Sequence, residues 1–275
     1  QEHPEEVKKN PDGLRYEYNQ AHLPVRQQDE AVGHAVRAVY LYSGMADIAR
    51  LSDDDKLFEA CNTLWNNIVD KKLYITGGIG GTHIGEAFSF NYDLPNDTAY
   101  AETCASIGLV FFARRMLEMY PDSRYADVME QALYNTVLSG MALDGKSFFY
   151  VNPLEVLPEA CHKDERKFHV GCACCPPNLA RTLSSVSSYA FTENDDTLFV
   201  HLYIGSDVKK KVNGQEVAVH IDSAFPWDGK VTVSVDGANV PLTLALRIPG
   251  WANSYTVSAD SSEYTIKDGY LYITR

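Results

Sequence analysis

Thr192-Glu193-Asn194-Asp195-Asp196 divides the chain into two kinds of sequence, and the fold follows from what lies on either side. Upstream, apolar residues recur at helical spacing. Leu57, Cys61, Leu64, Trp65 and Ile68 follow one another at intervals of four, three, one and three, which puts them on one helix face. Asp53 to Asp55 give that helix the acidic start that its dipole favours. A second helix is expected over about 30–50, with Val32, Ala35, Val36, Val39 and Ala46 on related faces. A third spans about 100–119. A fourth spans about 124–141, burying Tyr125, Val128, Ala132 and Leu133, with Asp122 or Ser123 as its cap. A fifth starts after Pro176-Pro177 and runs to about Tyr189, since proline is tolerated in a first helical turn. Downstream the pattern alternates. Thr197 to Ile204, Lys230 to Val235, Leu242 to Ile248, Tyr255 to Ser258 and Tyr270 to Thr274 read as strands. Asn213-Gly214, Asp236-Gly237 and Asp268-Gly269 read as hairpin turns. The expected fold is mainly α followed by β: a helical domain over 1–194, then an antiparallel β-sandwich over 195–275.

Composition narrows the function classes. With 45% hydrophobic and 22% charged residues, the 275-residue chain is ordinary globular protein. No run of about 18 apolar residues exists to span a membrane. Twenty-four Lys+Arg against 37 Asp+Glu leave a net charge of −13, which repels phosphate backbones and argues against a nucleic-acid partner. A neutral sugar is compatible with this surface. Seventeen Tyr and three Trp supply rings that stack on sugars or pack in cores. Residue 1 is Gln, and the chain stops at Tyr272-Ile273-Thr274-Arg275 inside a strand-like pattern, so both termini are expected to be cut. No signal peptide is visible, and a missing true N-terminus deprives that of meaning.

Thr76-Gly77-Gly78-Ile79-Gly80-Gly81-Thr82-His83 is the most glycine-rich stretch. A phosphate loop is excluded, because no Gly-Lys-Ser/Thr follows and no βαβ context surrounds it. Glycines at this density let backbone approach a pocket or another element closely. Among six cysteines, Cys61 lies on an apolar helix face and reads as a small buried hydrophobe. Cys172-Ala173-Cys174-Cys175-Pro176-Pro177 is different, and three readings compete. A disulfide framework suits small secreted domains rather than a chain with a large helical core. A structural zinc site wants four ligands, for which Cys104 is available. A catalytic thiolate wants a low pKa, which a metal or nearby cation supplies. Adjacent Cys174 and Cys175 reach one ion only if the backbone turns between them. Glu102 and Cys104 diverge by about 200° on a regular helix, so they share a ligand only in an irregular lead-in or first turn.

A glycosidase needs a proton donor for the leaving oxygen and an opposing nucleophile or base. Glu86 follows the glycine-rich stretch in Gly85-Glu86-Ala87-Phe88, where apolar neighbours would raise its pKa; the plain alternative is a solvated loop carboxylate. His34, expected within a helix, is a candidate ligand or a hydrogen-bonded core histidine. Tyr150 is a pocket or core residue. His83 and His169 flank the loops as outer donors or exposed side chains, and Trp227 and Trp251 are expected in the sandwich core or at a domain interface.

Taken together, several runs resemble glycoside hydrolase family 127, the β-L-arabinofuranosidases. They are His22-Leu-Pro-Val, Gly33-His34-Ala-Val-Arg37, Gly77-Gly78-Ile-Gly80, Gly85-Glu86, and Ala101-Glu102-Thr103-Cys104-Ala105-Ser106. Phe149-Tyr150-Val151-Asn152-Pro153, Gly171-Cys172-Ala173-Cys174-Cys175-Pro176-Pro177-Asn178 and Leu246-Arg247-Ile-Pro-Gly250-Trp251 complete the set. The resemblance covers essentially the whole chain, and the paired Glu-Thr-Cys and Cys-x-Cys-Cys-Pro-Pro-Asn motifs are its specific part. It implies part of an (α/α)6 barrel joined to a partial β-sandwich, and a retaining hydrolase with a cysteine nucleophile at zinc. By motif it implies Cys174 as nucleophile and zinc ligand, Glu102, Cys104 and Cys175 as the other zinc ligands, Glu86 as general acid/base, and His34 and Tyr150 lining a sugar pocket. Such a barrel needs twelve helices against about five legible here, so the chain is expected to be one portion of a longer enzyme, weakly stable and inactive alone. Two rivals stand beside this: a carbohydrate-binding or scaffold protein with a structural zinc, and a related glycosidase of different specificity. A zinc thiolate favours a reducing compartment, the cytoplasm, and the β module offers a surface for a homodimer.

Overall fold

The computed structural model describes residues 16–157, 165–168, 171–237, 240–259 and 263–274. They form two compact units. Of the described residues, the helical unit comprises those up to Met119 and those within Val128–Ser184; the β unit comprises Tyr120–Asp127 and those from Ser185 onward.

The helical elements are α1 (Ala35–Ser52), α2 (Asp55–Lys71), α3 (Thr103–Met119), α4 (Ser123–Ala132), α5 (Cys175–Ser184) and the short α6 (Ser187–Ala190). Asp54 caps α2 by accepting from the Leu57 amide at 3.0 Å. Leu57, Cys61, Leu64, Trp65 and Ile68 are all buried, as their spacing requires. Helix α3 is buried continuously from Thr103 to Ala113, the pattern of a helix packed on several sides. It packs against α1 and α5. Gly108 makes the α1 contact possible, since a Cβ there would lie 2.4 Å from Val39 Cγ2.

The expected helix over 124–141 is interrupted: α4 passes into a π-helical turn over Leu133–Val137. That turn receives the glycine-rich stretch. Thr136 Oγ1 donates to the Thr76 carbonyl at 2.7 Å, and Gly77, at φ +75°, lies so close to α4 that a Cβ would sit 2.5 Å from Ala132 Cα. The glycines are thus where the loop packs on a helix backbone. The other end of this long connection is fixed by the buried Lys72 ammonium, which donates to Glu30 Oε1 and to the carbonyls of Ala31 and Ser89 at 2.8–2.9 Å.

The β unit holds two sheets. One has the order β1 (Phe191–Glu193), β2 (Thr197–Val200), β6 (Thr243–Arg247), β8 (Tyr270–Thr274), β7 (Thr265–Lys267). The other is β3 (Ser206–Val212), β4 (Gln215–Ser223), β5 (Val231–Asp236). Pairing is antiparallel except between β2 and β6. Leu198, Val200, Val212, Val219, Ile221, Leu244 and Ile273 form one core between the sheets, as in a sandwich. Asn213-Gly214 and Asp268-Gly269 close two-residue hairpins with positive φ at both positions.

Four expectations are corrected. The polar run 192–196 is a hairpin turn with its flank in β1, not a linker. Asp236-Gly237 ends β5 without a hairpin, because β5 and β6 belong to different sheets. Tyr255 to Ser258 form no strand among the described residues. Trp227 and Trp251 are 92% and 58% exposed, so neither is core; Trp251 stacks on Phe225 instead. Arg247, from the Leu-Arg-Ile-Pro-Gly-Trp run, is buried and donates to Asp127 and to the His201 carbonyl, while the Gly250 amide reaches Asp127 Oδ1 at 3.1 Å. That run therefore anchors the 120–127 segment within the β unit.

Candidate active site

The loops around α3 assemble two groups of side chains. His34 is not inside a helix but caps α1, its Nδ1 accepting from the Arg37 amide at 3.4 Å. Nε2 is left to carry the proton and to donate to Glu86 Oε2 at 2.9 Å. Glu86 is presented by a tight turn in which Gly85 and Glu86 both have positive φ, and Ala87 bridges to Thr82 and His34. Tyr100 and Tyr150 donate to Glu86 Oε1 at 2.6 and 3.2 Å.

The charge state of Glu86 is a correction. Burial pushes its pKa up as expected, but the hydrogen bonds from Tyr100, His34 and Tyr150 outweigh burial and hold it below the usual carboxylate value. Burial lowers the pKa of His34, so the neutral imidazole donates here.

The second group is Glu102, Cys104, Cys174 and Cys175. Each side chain offers one atom, and all four lie within 4.8 Å of one another. Glu102 pairs with Val151 in an isolated bridge just before α3, following Ala101 at φ +39°, while Cys104 is in the first turn. This is the irregular lead-in that the Glu-x-Cys spacing demands. Cys174 sits in the turn before α5 and Cys175 is its first residue, so the backbone does turn between them. Cys104 and Cys175 sulfurs are 3.4 Å apart, Cys174 and Cys175 sulfurs 3.8 Å, and Glu102 Oε1 lies 3.5 and 3.6 Å from those of Cys174 and Cys175.

Zinc fits this set. A tetrahedral ion with Zn–S of about 2.3 Å and Zn–O of about 2.0 Å spaces its sulfurs about 3.8 Å apart and sulfur from oxygen about 3.5 Å. Glu102 Oε2 is buried without a hydrogen-bond partner, a further free acceptor. Thiolates with one carboxylate also suit a soft-to-borderline divalent ion. By themselves the four groups resist ionising together. Burial, then the charges of Cys104 and Glu86, push Glu102 up to about 8. Burial pushes Cys174 up to about 12. Cys175 is pushed up by the hydrogen bond it shares with Cys104 and by burial, and that same bond brings Cys104 down to about 6.

Every candidate drawn from the motifs is in one of these groups. Glu102 joins them, its carboxylate lying within 4.8 Å of the ligand atoms of His34 and Glu86 as well as of the three sulfurs. Cys172 is exposed and outside the sulfur cluster, Cys61 is buried, and His83 is exposed. His169 and Cys161 lie outside the described residues. Two residues carried no assigned role in the sequence. Tyr100 stands two positions before Glu102 and has no periodic signal. Asn178 ends the Cys-x-Cys-Cys-Pro-Pro-Asn run and is buried.

Two family models match successive parts of the chain. The model for the "Beta-L-arabinofuranosidase, GH127 catalytic domain" matches residues 3–188, and that for the GH127 middle domain matches 197–275. Both describe domains of glycoside hydrolases. The chain belongs to glycoside hydrolase family 127. It is 42% identical to a non-reducing end β-L-arabinofuranosidase of Bifidobacterium longum subsp. longum, over 93% of this chain and 41% of that protein. A crystal structure of a GH127 β-L-arabinofuranosidase from Geobacillus stearothermophilus T6 matches at 51% identity and a TM-score of 0.88, covering 94% of this chain and 43% of that one. The GH127 β-arabinofuranosidase BT3674 matches at 42% identity and 0.87, covering 98% and 46%. The chain thus spans less than half the length of these relatives, and its fold class is the expected one, barrel helices followed by a sandwich that is antiparallel but for the β2–β6 pair. Among the described residues no helix is long and apolar enough to cross a membrane.

Proposed function

We propose that this chain carries the catalytic apparatus of a retaining glycoside hydrolase that releases terminal β-L-arabinofuranose from arabinosides or glycans, with Cys174 as nucleophile and Glu86 as general acid/base. The observation that supports this is Glu102, whose carboxylate lies within 4.8 Å of the ligand atoms of His34 and Glu86 on one side and of Cys104, Cys174 and Cys175 on the other, so the two groups adjoin.

Glu102, Cys104, Cys174 and Cys175 would hold a zinc ion. When bound, the ion supplies the positive charge that ionises these thiols near neutrality and steadies sulfur as a leaving group. Cys174 Sγ attacks the anomeric carbon while Glu86 gives its proton to the departing glycosidic oxygen. The result is a sugar–Cys174 thioether. Glu86, now a carboxylate held by His34, Tyr100 and Tyr150, then takes a proton from water as that water displaces the sulfur. Three donors on Glu86 favour the base step, so the acid step requires substrate to take over one of them. The thiolates fit a reducing compartment, the cytoplasm.

The depressed Glu86 pKa favours one rival, a carbohydrate-binding scaffold with a structural zinc. The test is Glu86→Gln and Cys174→Ser in the full-length enzyme, in an aryl β-L-arabinofuranoside assay. Hydrolysis is expected to disappear in Cys174→Ser, and azide is expected to restore turnover to Glu86→Gln with an activated substrate. Activity that persists in both variants, or a parent protein without activity that binds arabinosides equally well as Glu86→Gln, contradicts the proposal.

A further inference from the structure

The Cys104 sulfur has a neighbour that no role above uses. Asn178 lies in α5, one turn after Cys174, and its backbone amide donates to the Cys174 carbonyl at 3.2 Å. Its side chain is buried, and a hydrogen bond from it is among the causes that bring the Cys104 thiol down. What fixes the amide is Arg181, one turn further on. Arg181 Nε and Nη2 donate to Asn178 Oδ1 at 3.1 and 2.7 Å. A guanidinium has donors only, so it selects the carbonyl end of the amide and leaves Nδ2–H to point the other way. Tyr40 of α1 completes the arrangement. Its hydroxyl accepts from Asn178 Nδ2 at 3.1 Å and from Arg181 Nη2 at 2.8 Å. The guanidinium in turn lies over the Phe111 ring of α3 at 5.0 Å, and Tyr40 packs edge-on against that same ring. Three helices therefore converge to hold one amide in one orientation.

We propose that Asn178, oriented by Arg181 and Tyr40, is a positioning residue that gives its amide N–H to the Cys104 sulfur and so fixes the sulfur-rich donor set for its metal ion. The inference rests on the zinc reading of that set. Groups that hydrogen-bond a metal's ligands lock ligand geometry, and their loss costs about 10- to 100-fold in metal affinity. Apolar packing at the same place would fill space but could not tell one end of an amide from the other.

The experiment measures zinc affinity by chelator competition, and the sulfur-to-metal charge-transfer spectrum of the Co2+-substituted protein. The variants are Asn178→Ala, Asn178→Asp and Arg181→Met. Asn178→Asp keeps shape and volume but presents an acceptor to the sulfur. Asn178→Ala is expected to lose about tenfold in affinity, Asn178→Asp at least as much, each with a shifted charge-transfer band. Arg181→Met keeps the stem on Phe111 but frees the amide, so it is expected to shift the band in the same direction. If Asn178→Asp binds and absorbs like the parent, the residue is a space filler and the inference is overturned while the zinc reading stands. If the parent itself takes up no zinc or cobalt, the zinc reading fails and the inference with it.

Discussion

Tyr100→Phe probes the feature that most changed the picture of the site, the ionised Glu86. The variant removes the shortest of three donors to that carboxylate, at 2.6 Å, and keeps the ring. A hydrogen bond to a charged group contributes about 1.5–3 kcal/mol. The Glu86 side chain is 33% exposed, so solvent screening favours the lower end, about 1.5 kcal/mol. One pKa unit corresponds to about 1.4 kcal/mol, so the Glu86 pKa is expected to rise by about one unit in the variant. The sign follows from linkage. The folded pKa of Glu86 lies below its unfolded value, so its contribution to stability is fully present above the unfolded value of about 4.3 and is lost as pH falls through the folded one. Tyr100→Phe is therefore expected to be less stable than the parent by about 1.5 kcal/mol at pH 7, with the difference closing as pH falls below the Glu86 pKa. Urea denaturation of both proteins across that range measures it. Repeating the pair in a Glu86→Gln background is expected to remove the pH dependence. A Tyr100→Phe penalty that stays constant from neutral to acid pH would refute the argument, because the hydroxyl would then not be acting on the carboxylate.

Other consequences are open to direct measurement. Gly77→Ala forces a left-handed φ on alanine and drives its Cβ to 2.5 Å from Ala132 Cα, so it is expected to cost about 3 kcal/mol or more in urea denaturation; a loss under about 1 kcal/mol counts against the packing described. Asp127→Ala leaves the buried Arg247 guanidinium without its carboxylate and is expected to destabilise the β unit by about 3 kcal/mol, read from its thermal or urea transition. In native protein an alkylating reagent is expected to modify exposed Cys172 and to spare Cys61, which burial pushes up to about 12. Adding a strong zinc chelator is expected to open Cys104, Cys174 and Cys175 to the same reagent, as peptide mapping would show. Equal labelling with and without chelator argues against a metal at those sulfurs.

The parts of the molecule that were legible in the sequence are those that repeat or that carry rare residues. Leu57 to Ile68 show a helix face because each apolar side chain is buried by one neighbour surface. Cys174-Cys175 and Glu102-x-Cys104 stood out because regular backbone cannot bring such neighbours to one point, and the structure supplies a turn and an irregular lead-in at those places. What stayed hidden depends on contacts between distant segments. His34 looked helical, but its ring bonds the Arg37 amide and so starts the helix instead. The π turn at Leu133–Val137 leaves no composition signal, being set by packing against Thr76 and Gly77. Strand β3 carries Lys209, Lys210 and Lys211 next to valines, and charge masked its alternation. Glu86 was expected to have a raised pKa from its apolar sequence neighbours. The donors that reverse this come from positions 34, 100 and 150, which local sequence cannot see.

The claim on which the account turns is that Cys174 bonds covalently to the sugar. An activated aryl β-L-arabinofuranoside needs little acid help in the first step, whereas Glu86→Gln slows the second, so that variant should accumulate the intermediate. Quenching in acid, digesting and mapping by mass spectrometry is predicted to find one pentosyl group on the peptide containing Cys174, at the sulfur, and none in Cys174→Ser. A pentosyl group on Glu102, or product formed with inverted configuration and no adduct on any residue, would contradict it.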